Sequence, residues 1–336
     1  MKVLVTGGMG YIGSHTCIAL CEADITPVIY DNLSNSSVKV LQQLKVITGK
    51  DIEFIKGDIS DKTLFSQTLV DHDICAVFHF AALKAVGEST EKPLQYYQNN
   101  VSGTVTMLEA MNSVGVNSLI FSSSATVYGD PTYLPIDEKH PISATNPYGW
   151  TKVMVEQILN DTCCANEDFL SIALRYFNPV GAHPSGLLGE SPNGIPNNLM
   201  PFIAQTAVGK RDFINIFGND YETKDGTGVR DYIHIMDLAI GHVAAFLTHE
   251  EDSGFLAYNL GTGAGYSVLD VIKAFEKSSN KPVPYKFALR RAGDIACNYA
   301  DASLAKVKLG WTANLDLQSM TDDTWNWQSK YPNGME

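Results

Sequence analysis

Arginine is scarce in this chain, with five among 336 residues: Arg175, Arg211, Arg230, Arg290 and Arg291. The formal charge is −13, from 24 basic and 37 acidic residues. An acidic surface argues against nucleic acid and anionic membranes, and we expect neither as a partner. An anionic small ligand is still allowed if basic groups gather at one site. The few arginines are then the candidates for bidentate donors to a diphosphate.

The sequence also lacks the patterns that are typical of redox-active, metal-binding, membrane-spanning or secreted proteins. The six cysteines contain no C-x-x-C pair and the eight histidines show no ligand spacing, so we expect reduced thiols and no metal site. No run approaches the ~18 uninterrupted apolar residues that a membrane-spanning helix needs. The first residues lack a charged region followed by a long apolar one, so we expect no signal peptide and a cytoplasmic location.

Short apolar runs alternate with helical patterns through the first half of the chain. The runs occupy residues 3–5, 26–30, 52–55, 74–80, 119–121 and 170–175, and helical spacing fills residues 12–20, 38–47, 64–70, 94–111 and 148–164. This alternation predicts an α/β fold, a Rossmann-like doubly wound parallel sheet with helices on both faces. Beyond residue 177 a stretch rich in Gly, Pro and Asn ends the regularity. We expect an NAD-binding domain at residues 1–177 and a smaller mixed α/β substrate domain at 178–336, with some segments returning to the first.

The first predicted strand runs into a glycine-rich turn. Gly7, Gly10 and Gly13 form G-x-x-G-x-x-G between a strand and a helix. Residues without a Cβ let the backbone approach a pyrophosphate, which the N-terminus of the helix then binds. Asp31 closes the second strand, where a carboxylate accepts hydrogen bonds from the adenosine ribose and repels a 2′-phosphate. With Asp58 after the third strand, which suits an adenine edge, these features favour NAD over NADP.

Tyr148 and Lys152 lie four residues apart, on one face of a predicted helix. With 15 tyrosines in the chain, this spacing alone carries little information. Its position adds more, because Ser124 ends the fifth strand and the carboxyl ends of strands face the ligand crevice in a doubly wound sheet. We interpret Tyr148 as a general base and Ser124 as its hydrogen-bonding partner. Lys152 and an oxidised nicotinamide would lower the phenol pKa from ~10 towards neutrality.

Longer motifs resemble one family. Residues 5–15, Tyr148 with Lys152, and residues 230–234 are similar to those of the extended short-chain dehydrogenase/reductase superfamily. Residues 79–89, 175–186 and 194–201 narrow the resemblance to the UDP-galactose 4-epimerases, over essentially the whole chain. The resemblance implies a reversible inversion at carbon 4 of UDP-glucose and UDP-galactose, through a 4-keto sugar that turns over while NAD stays bound. It also implies a homodimer paired through residues 94–111 and 148–164.

The resemblance assigns roles at matching positions. Besides the glycines of the turn, the cofactor contacts are Tyr11, Ile12, Asp31, Asn32, Asp58, Ile59, Phe80, Ala81, Lys84, Asn99, Ser122, Tyr148, Lys152 and Phe177. Contacts to the UDP-sugar fall on Ser124, Asn178, Asn198, Leu199, Arg230, Arg291 and Asp294. Asn298 takes the place that walls the hexose pocket, where a bulky Tyr restricts the family to plain sugars. Because Asn is smaller, we predict that UDP-N-acetylglucosamine and UDP-N-acetylgalactosamine are also interconverted.

Two other functions fit the same fold. A sugar-nucleotide 4,6-dehydratase needs an acidic pair after the serine, and this chain has Ala125 and Thr126 there. A regulator that senses NAD without turnover needs no catalytic set, whereas Ser124, Tyr148 and Lys152 are all present. The residues therefore favour the epimerase over both alternatives, and product analysis distinguishes the three.

Overall fold

The structure is a computed structural model that describes residues 1–194, 196–291 and 294–335. Ile195, which belongs to the motif at residues 194–201, and Ala292, Gly293 and Glu336 lie outside the described residues. Its strands are β1 (Lys2–Thr6), β2 (Thr26–Asp31), β3 (Glu53–Lys56), β4 (Ala76–His79), β5 (Ser118–Ser124), β6 (Leu170–Tyr176), β7 (Asn178–Val180), β8 (Ile214–Phe217), β9 (Val229–His234), β10 (Gly254–Leu260), β11 (Gly265–Ser267), β12 (Tyr285–Ala288) and β13 (Cys297–Asn298).

Helices connect most of these strands. They are α1 (Tyr11–Glu22), α2 (Lys39–Thr48), α3 (Lys62–Asp71), α4 (Val86–Glu91), α5 (Pro93–Tyr96), α6 (Gly103–Val114), α7 (Pro147–Ala165), α8 (Leu199–Ala207), α9 (Ile235–Thr248), α10 (Val268–Ser279), α11 (Ser303–Leu309) and α12 (Leu317–Lys330). Within the described residues, none of the helices combines the length and apolarity that crossing a membrane requires.

A parallel sheet forms the centre of the molecule, with strand order β10-β6-β5-β4-β1-β2-β3. The six strands predicted from the first half are confirmed, as is the Rossmann-like fold class. The strand β10 was not predicted, and it extends the sheet by pairing with β6 from Gly254↔Leu170 to Leu260↔Tyr176. The helix predicted at residues 94–111 is interrupted by a π-helical turn, Tyr97–Ser102.

The chain order reverses between β1 and β4, which lie side by side in the sheet. At such a switch point the loops leave in opposite directions and open a crevice outside the carboxyl ends of the strands. The glycine turn follows β1, Phe80 follows β4, and Ser124 ends the next strand, β5. The topology thus places all three segments at one edge of the sheet.

The second half of the chain adds smaller layers. Strands β11, β9 and β13 form a short sheet in which β7 also pairs with β9, and β12 pairs with β8. Helices α8, α10 and α12 pack around a separate apolar cluster that includes Ile203, Phe275 and Met320. Helix α9 packs instead on α1, and its Phe246 contacts Phe78 of the main sheet. The division into domains at residue 177 stays a prediction.

Candidate active site

One cavity of about 970 Å³ opens at the carboxyl edge of the main sheet. Residues from both halves of the chain line it. All the cofactor, catalytic and substrate residues predicted from the sequence are among them, apart from Asn298. The fold therefore gathers predicted residues that lie up to 287 positions apart, from Gly7 to Asp294, around one space.

The glycine turn forms one wall of this cavity. The Gly10 N–H donates to the Gly7 carbonyl at 3.0 Å, and Gly7 has a φ of +67°. A Cβ on Gly13 would lie 2.4 Å from the Gly7 carbonyl oxygen, so only glycine allows this turn. Helix α1 then begins at Tyr11 with no side-chain cap. Its first N–H groups are left for an anion, as a dinucleotide pyrophosphate requires.

Asp31 lies at the carboxyl end of β2, buried and held by the protein. Its Oδ2 accepts from the Met9 N–H at 3.0 Å, and its Oδ1 accepts from the Leu33 N–H at 2.8 Å. Nearby, the Asn32 amide donates to Asp58 Oδ2 at 2.7 Å. These contacts fix two carboxylates where the sequence places the adenosine half of the cofactor. A 2′-phosphate there would meet negative charge.

Helix α7 carries two of the catalytic candidates. Asn146 caps it by accepting from the Gly149 N–H at 2.9 Å, which puts Tyr148 in the first turn and Lys152 in the second. The Lys152 side chain is buried, and its Nζ donates to the Ser122 carbonyl at 2.6 Å. The same Nζ lies 5.9 Å from the centre of the Tyr148 ring. Ser124 ends the strand that receives this hydrogen bond, so the three residues converge.

Burial sets the protonation of this group of residues. It raises the pKa of Tyr148 to about 12, although a hydrogen bond with Ser124 acts in the opposite direction. Burial also lowers the pKa of Lys152 to about 7, while the negative charge of Glu156 raises it. With protein groups alone, the phenol therefore holds its proton at neutral pH. A further positive charge beside the ring is needed to make it a base.

Cationic groups from the second half of the chain also line the cavity. Three of the five arginines, Arg211, Arg230 and Arg291, are among the lining residues. Arg291 forms a bidentate pair with Asp294 at 2.8 and 3.1 Å, and its guanidinium lies 4.8 Å from the centre of the Phe217 ring. The sequence predicted irregular segments for Arg230 and Arg291, but Arg230 is part of β9. Guanidinium groups gathered at one cavity suit a diphosphate.

Glu190 connects two predicted sets of residues. Its Oε1 accepts from Lys84 Nζ at 3.1 Å and from the Asn198 amide at 2.9 Å. The first donor belongs to the predicted cofactor contacts and the second to the predicted substrate contacts. Sequence reasoning missed Glu190, because it lies in the irregular stretch after residue 177, where no spacing indicates a role. It also missed Tyr176 and Phe217, whose places at strand ends were the available signal.

Asn298 is the predicted site residue that the cavity lining does not include. It lies on β13, paired with Arg230 of β9, which does line the cavity. Its Oδ1 is buried, and within the described residues it has no hydrogen-bond partner. Asn298 therefore lies beside a residue of the cavity wall without lining the cavity itself, and its effect on sugar choice stays a prediction.

Known proteins resemble this chain along its whole length. Residues 4–324 match the family model described as GDP-mannose 4,6 dehydratase. A UDP-glucose 4-epimerase of Bacillus subtilis is 57% identical over 334 residues, which are 99% of this chain and 98% of that protein. The chain belongs to the UDP-glucose 4-epimerase family. As a member of this family, within the extended short-chain dehydrogenase/reductase superfamily, it is an isomerase, as the motifs predicted.

Solved structures from the UDP-glucose 4-epimerase family share the fold. The enzyme from Bifidobacterium longum, crystallised in complex with NAD⁺ and UDP, is 51% identical with a TM-score of 0.97, and the match covers 100% of both chains. The UDP-Glc/GlcNAc 4-epimerase from Campylobacter jejuni is 37% identical with a TM-score of 0.85, covering 98% of this chain and 99% of that one.

The glycine turn gives a direct test of the cofactor site. Gly13→Ala should weaken NAD binding at least about tenfold, because the added methyl forces the backbone away from the phosphate. Calorimetric titration of NAD into cofactor-stripped protein measures the change. Gly87→Ala is the matched control, because a Cβ there meets nothing within 4 Å. Equal affinity in both variants would contradict a pyrophosphate site at this turn.

Proposed function

We propose that this chain interconverts UDP-glucose and UDP-galactose with a tightly bound NAD. The observation that carries the proposal is the convergence of Ser124, Tyr148 and buried Lys152 on a cavity that also holds the glycine turn and three arginines. The relatives named above supply the substrate and the cofactor. In this proposal residues 1–177 bind NAD and residues 178–336 bind the UDP-sugar, with β10 belonging to the first unit.

The chemistry follows from the protonation of the site. Bound NAD⁺ would accept and return the hydride of carbon 4 and would supply the additional positive charge that the phenol needs. Tyr148 then takes the proton of the 4-hydroxyl, and Ser124 donates a hydrogen bond to the same sugar oxygen. The resulting 4-keto sugar turns over in the cavity and receives hydride on its other face, while Tyr148 returns the proton. Lys152 favours the phenolate throughout by its charge.

The site distinguishes this reaction from elimination. A 4,6-dehydratase protonates and removes the hydroxyl of carbon 6 with acidic residues that follow the serine. Here Ala125 and Thr126 follow Ser124 and start a short 3₁₀ turn, and Thr126 lines the cavity. Neither side chain can give up a proton at neutral pH. The oxidised sugar can therefore only be reduced again, which favours epimerisation over elimination.

The reaction is tested by its product and its independence of added cofactor. Purified protein with UDP-galactose and no added nicotinamide should give UDP-glucose, measured by chromatography. Tyr148→Phe should lower kcat by about 10²–10⁴-fold, because it removes the general base and leaves the ring in place. A dehydrated product, or a need for continuous NAD supply, would rule out the epimerase.

We propose in addition that N-acetylated UDP-hexoses are substrates. Asn298 lies beside Arg230, and an asparagine occupies less space than a tyrosine at this position. The Campylobacter jejuni relative, whose name includes a GlcNAc sugar, matches almost the whole chain. Because Asn298 lies beside a residue that lines the cavity, a larger side chain at this position would take up space next to the sugar.

Substitution at this position tests the sugar choice. Asn298→Tyr should lower kcat/KM for UDP-N-acetylglucosamine by about tenfold or more relative to UDP-galactose. Asn298→Ser is the control, and it should keep both activities because it removes volume. An unchanged ratio of the two activities in the tyrosine variant would refute the role of Asn298.

We propose a homodimer as the working assembly. Four apolar side chains on the predicted pairing segments are exposed to solvent: Leu94, Val105, Trp150 and Met154. Trp150 and Met154 lie one turn apart on α7 and therefore share a face of that helix. Apolar side chains grouped on neighbouring helices are typical of an interface between subunits.

A further inference from the structure

A buried ion pair between Glu156 and Arg175 lies close to the catalytic residues. Glu156 Oε2 accepts from Arg175 Nη2 at 2.6 Å, and Glu156 Oε1 accepts from Arg175 Nε at 3.0 Å. Each side chain is 8% exposed. The pair joins α7, which carries Glu156, to β6, which carries Arg175.

Glu156 lies close to the catalytic residues of α7 and to those at the end of β5. It follows Lys152 by one helical turn on the same face of α7. It also accepts a hydrogen bond from the Ser123 hydroxyl at 2.5 Å. Ser123 stands between Ser122, whose carbonyl accepts from Lys152, and Ser124. One carboxylate therefore fixes the strand end and the helix on which the reaction depends.

The hydrogen bonds continue beyond Arg175. Its Nη1 donates to the Tyr128 hydroxyl at 3.1 Å, and that hydroxyl donates to Asn259 Oδ1 at 2.6 Å. The Asn259 amide donates to the Ile136 carbonyl at 2.9 Å. The ion pair is thus anchored across the sheet as far as β10 and is held in one geometry.

Stability alone does not account for such a pair. Removing two charges from water costs free energy that their attraction often fails to recover, so an apolar pair of similar volume is commonly at least as stable. A carboxylate at this place has a second effect, because a negative charge near a buried ammonium favours its protonated form. Glu156 therefore contributes to the site through its negative charge and not only to the stability of the fold.

We propose that Glu156 is a positioning residue for the reaction, which aligns α7 with the end of β5 and keeps Lys152 cationic inside the protein. The proposal rests on the epimerase function proposed above. Glu156 is not among the residues that line the cavity, and it acts through Ser123 and Lys152. The negative charge of Glu156 raises the Lys152 pKa against the effect of burial, which agrees with this role.

Other titratable groups around Lys152 do not change charge near neutral pH. Burial lowers the pKa of His79 to about 3, so this neighbour on β4 is neutral. Burial raises the pKa of the three surrounding tyrosines, which stay protonated: Tyr96, Tyr128 and Tyr176. Arg175 stays cationic and Glu88 anionic. Tyr148 and Lys152 are therefore the groups that shape the pH dependence.

The test is the pH profile of kcat for the cofactor-loaded Glu156→Gln enzyme with saturating UDP-galactose. Glutamine keeps the shape of the side chain and removes its charge. The alkaline limb, where Lys152 loses its proton, should move down by about one pH unit. Ser123→Ala is the control, because it removes the hydrogen bond but keeps the carboxylate. It should lower kcat and leave the limb where it is in the wild type.

An unmoved alkaline limb in Glu156→Gln, with kcat reduced at every pH, would overturn the proposal and leave a structural role. If thermal melting shows that this variant does not fold, Glu156→Asp replaces it, since aspartate keeps the charge but withdraws it by one methylene. A lower kcat with a smaller downward shift supports the proposal, and an unshifted limb overturns it. Wild-type protein without epimerase activity would refute the proposed function itself, which the first assay of the series establishes.

Discussion

A cation buried beside a phenol is the constraint on which the site depends. Lys152 is 3% exposed, and its Nζ has a carbonyl oxygen and an aromatic ring as neighbours in place of water. Burial therefore works against its charge, just as burial works against the charge of Tyr148. A positive charge on Lys152 favours the phenolate of Tyr148, and the residues around the pair decide how far each charge is favoured.

The parallel sheet serves this pair by fixing where it lies. Because β5 and β6 run in the same direction, Ser122, Ser123, Ser124, Arg175 and Tyr176 meet at one edge. Helix α7 crosses that edge and adds Tyr148, Lys152 and Glu156 at successive turns. The second half of the chain supports this alignment through Asn259 of β10, whose Oδ1 accepts from the Tyr128 hydroxyl. It also supplies Arg211, Arg230 and Arg291, which line the cavity and would hold a negatively charged ligand.

Much of this could be predicted from the residues alone. The six strands of the first half are apolar runs between helical patterns, and the glycine turn has a spacing that few other structures require. Strand β10 escaped prediction, because its short apolar run is interrupted by Asn259 and lies in an irregular region, so it is compatible with several structures. The π-helical turn escaped as well. It brings Asn100 to bond the Leu83 backbone and Thr151, contacts that no sequence pattern reveals.

The sequence could not predict which side chains line the cavity or which distant partners they meet. The resemblance placed Asn298 at the wall of the hexose pocket, but in the fold Asn298 pairs with Arg230 and is not among the residues that line the cavity. Glu190 and Glu156 were missed for a related reason. Their roles come from partners that are distant in sequence, Lys84 and Arg175, and only the folded chain brings these together.

The dependence of Tyr148 on its charged neighbours can be measured by titrating tyrosinate through its ultraviolet absorbance. The cofactor-loaded wild type is compared with Tyr148→Phe, so that the difference reports one side chain. With NAD⁺ bound we expect Tyr148 to titrate near neutral pH, and with NADH bound its pKa should rise by about two units or more, because one positive charge is lost. The same high pKa with both forms of the cofactor would contradict a base that is switched on by charge.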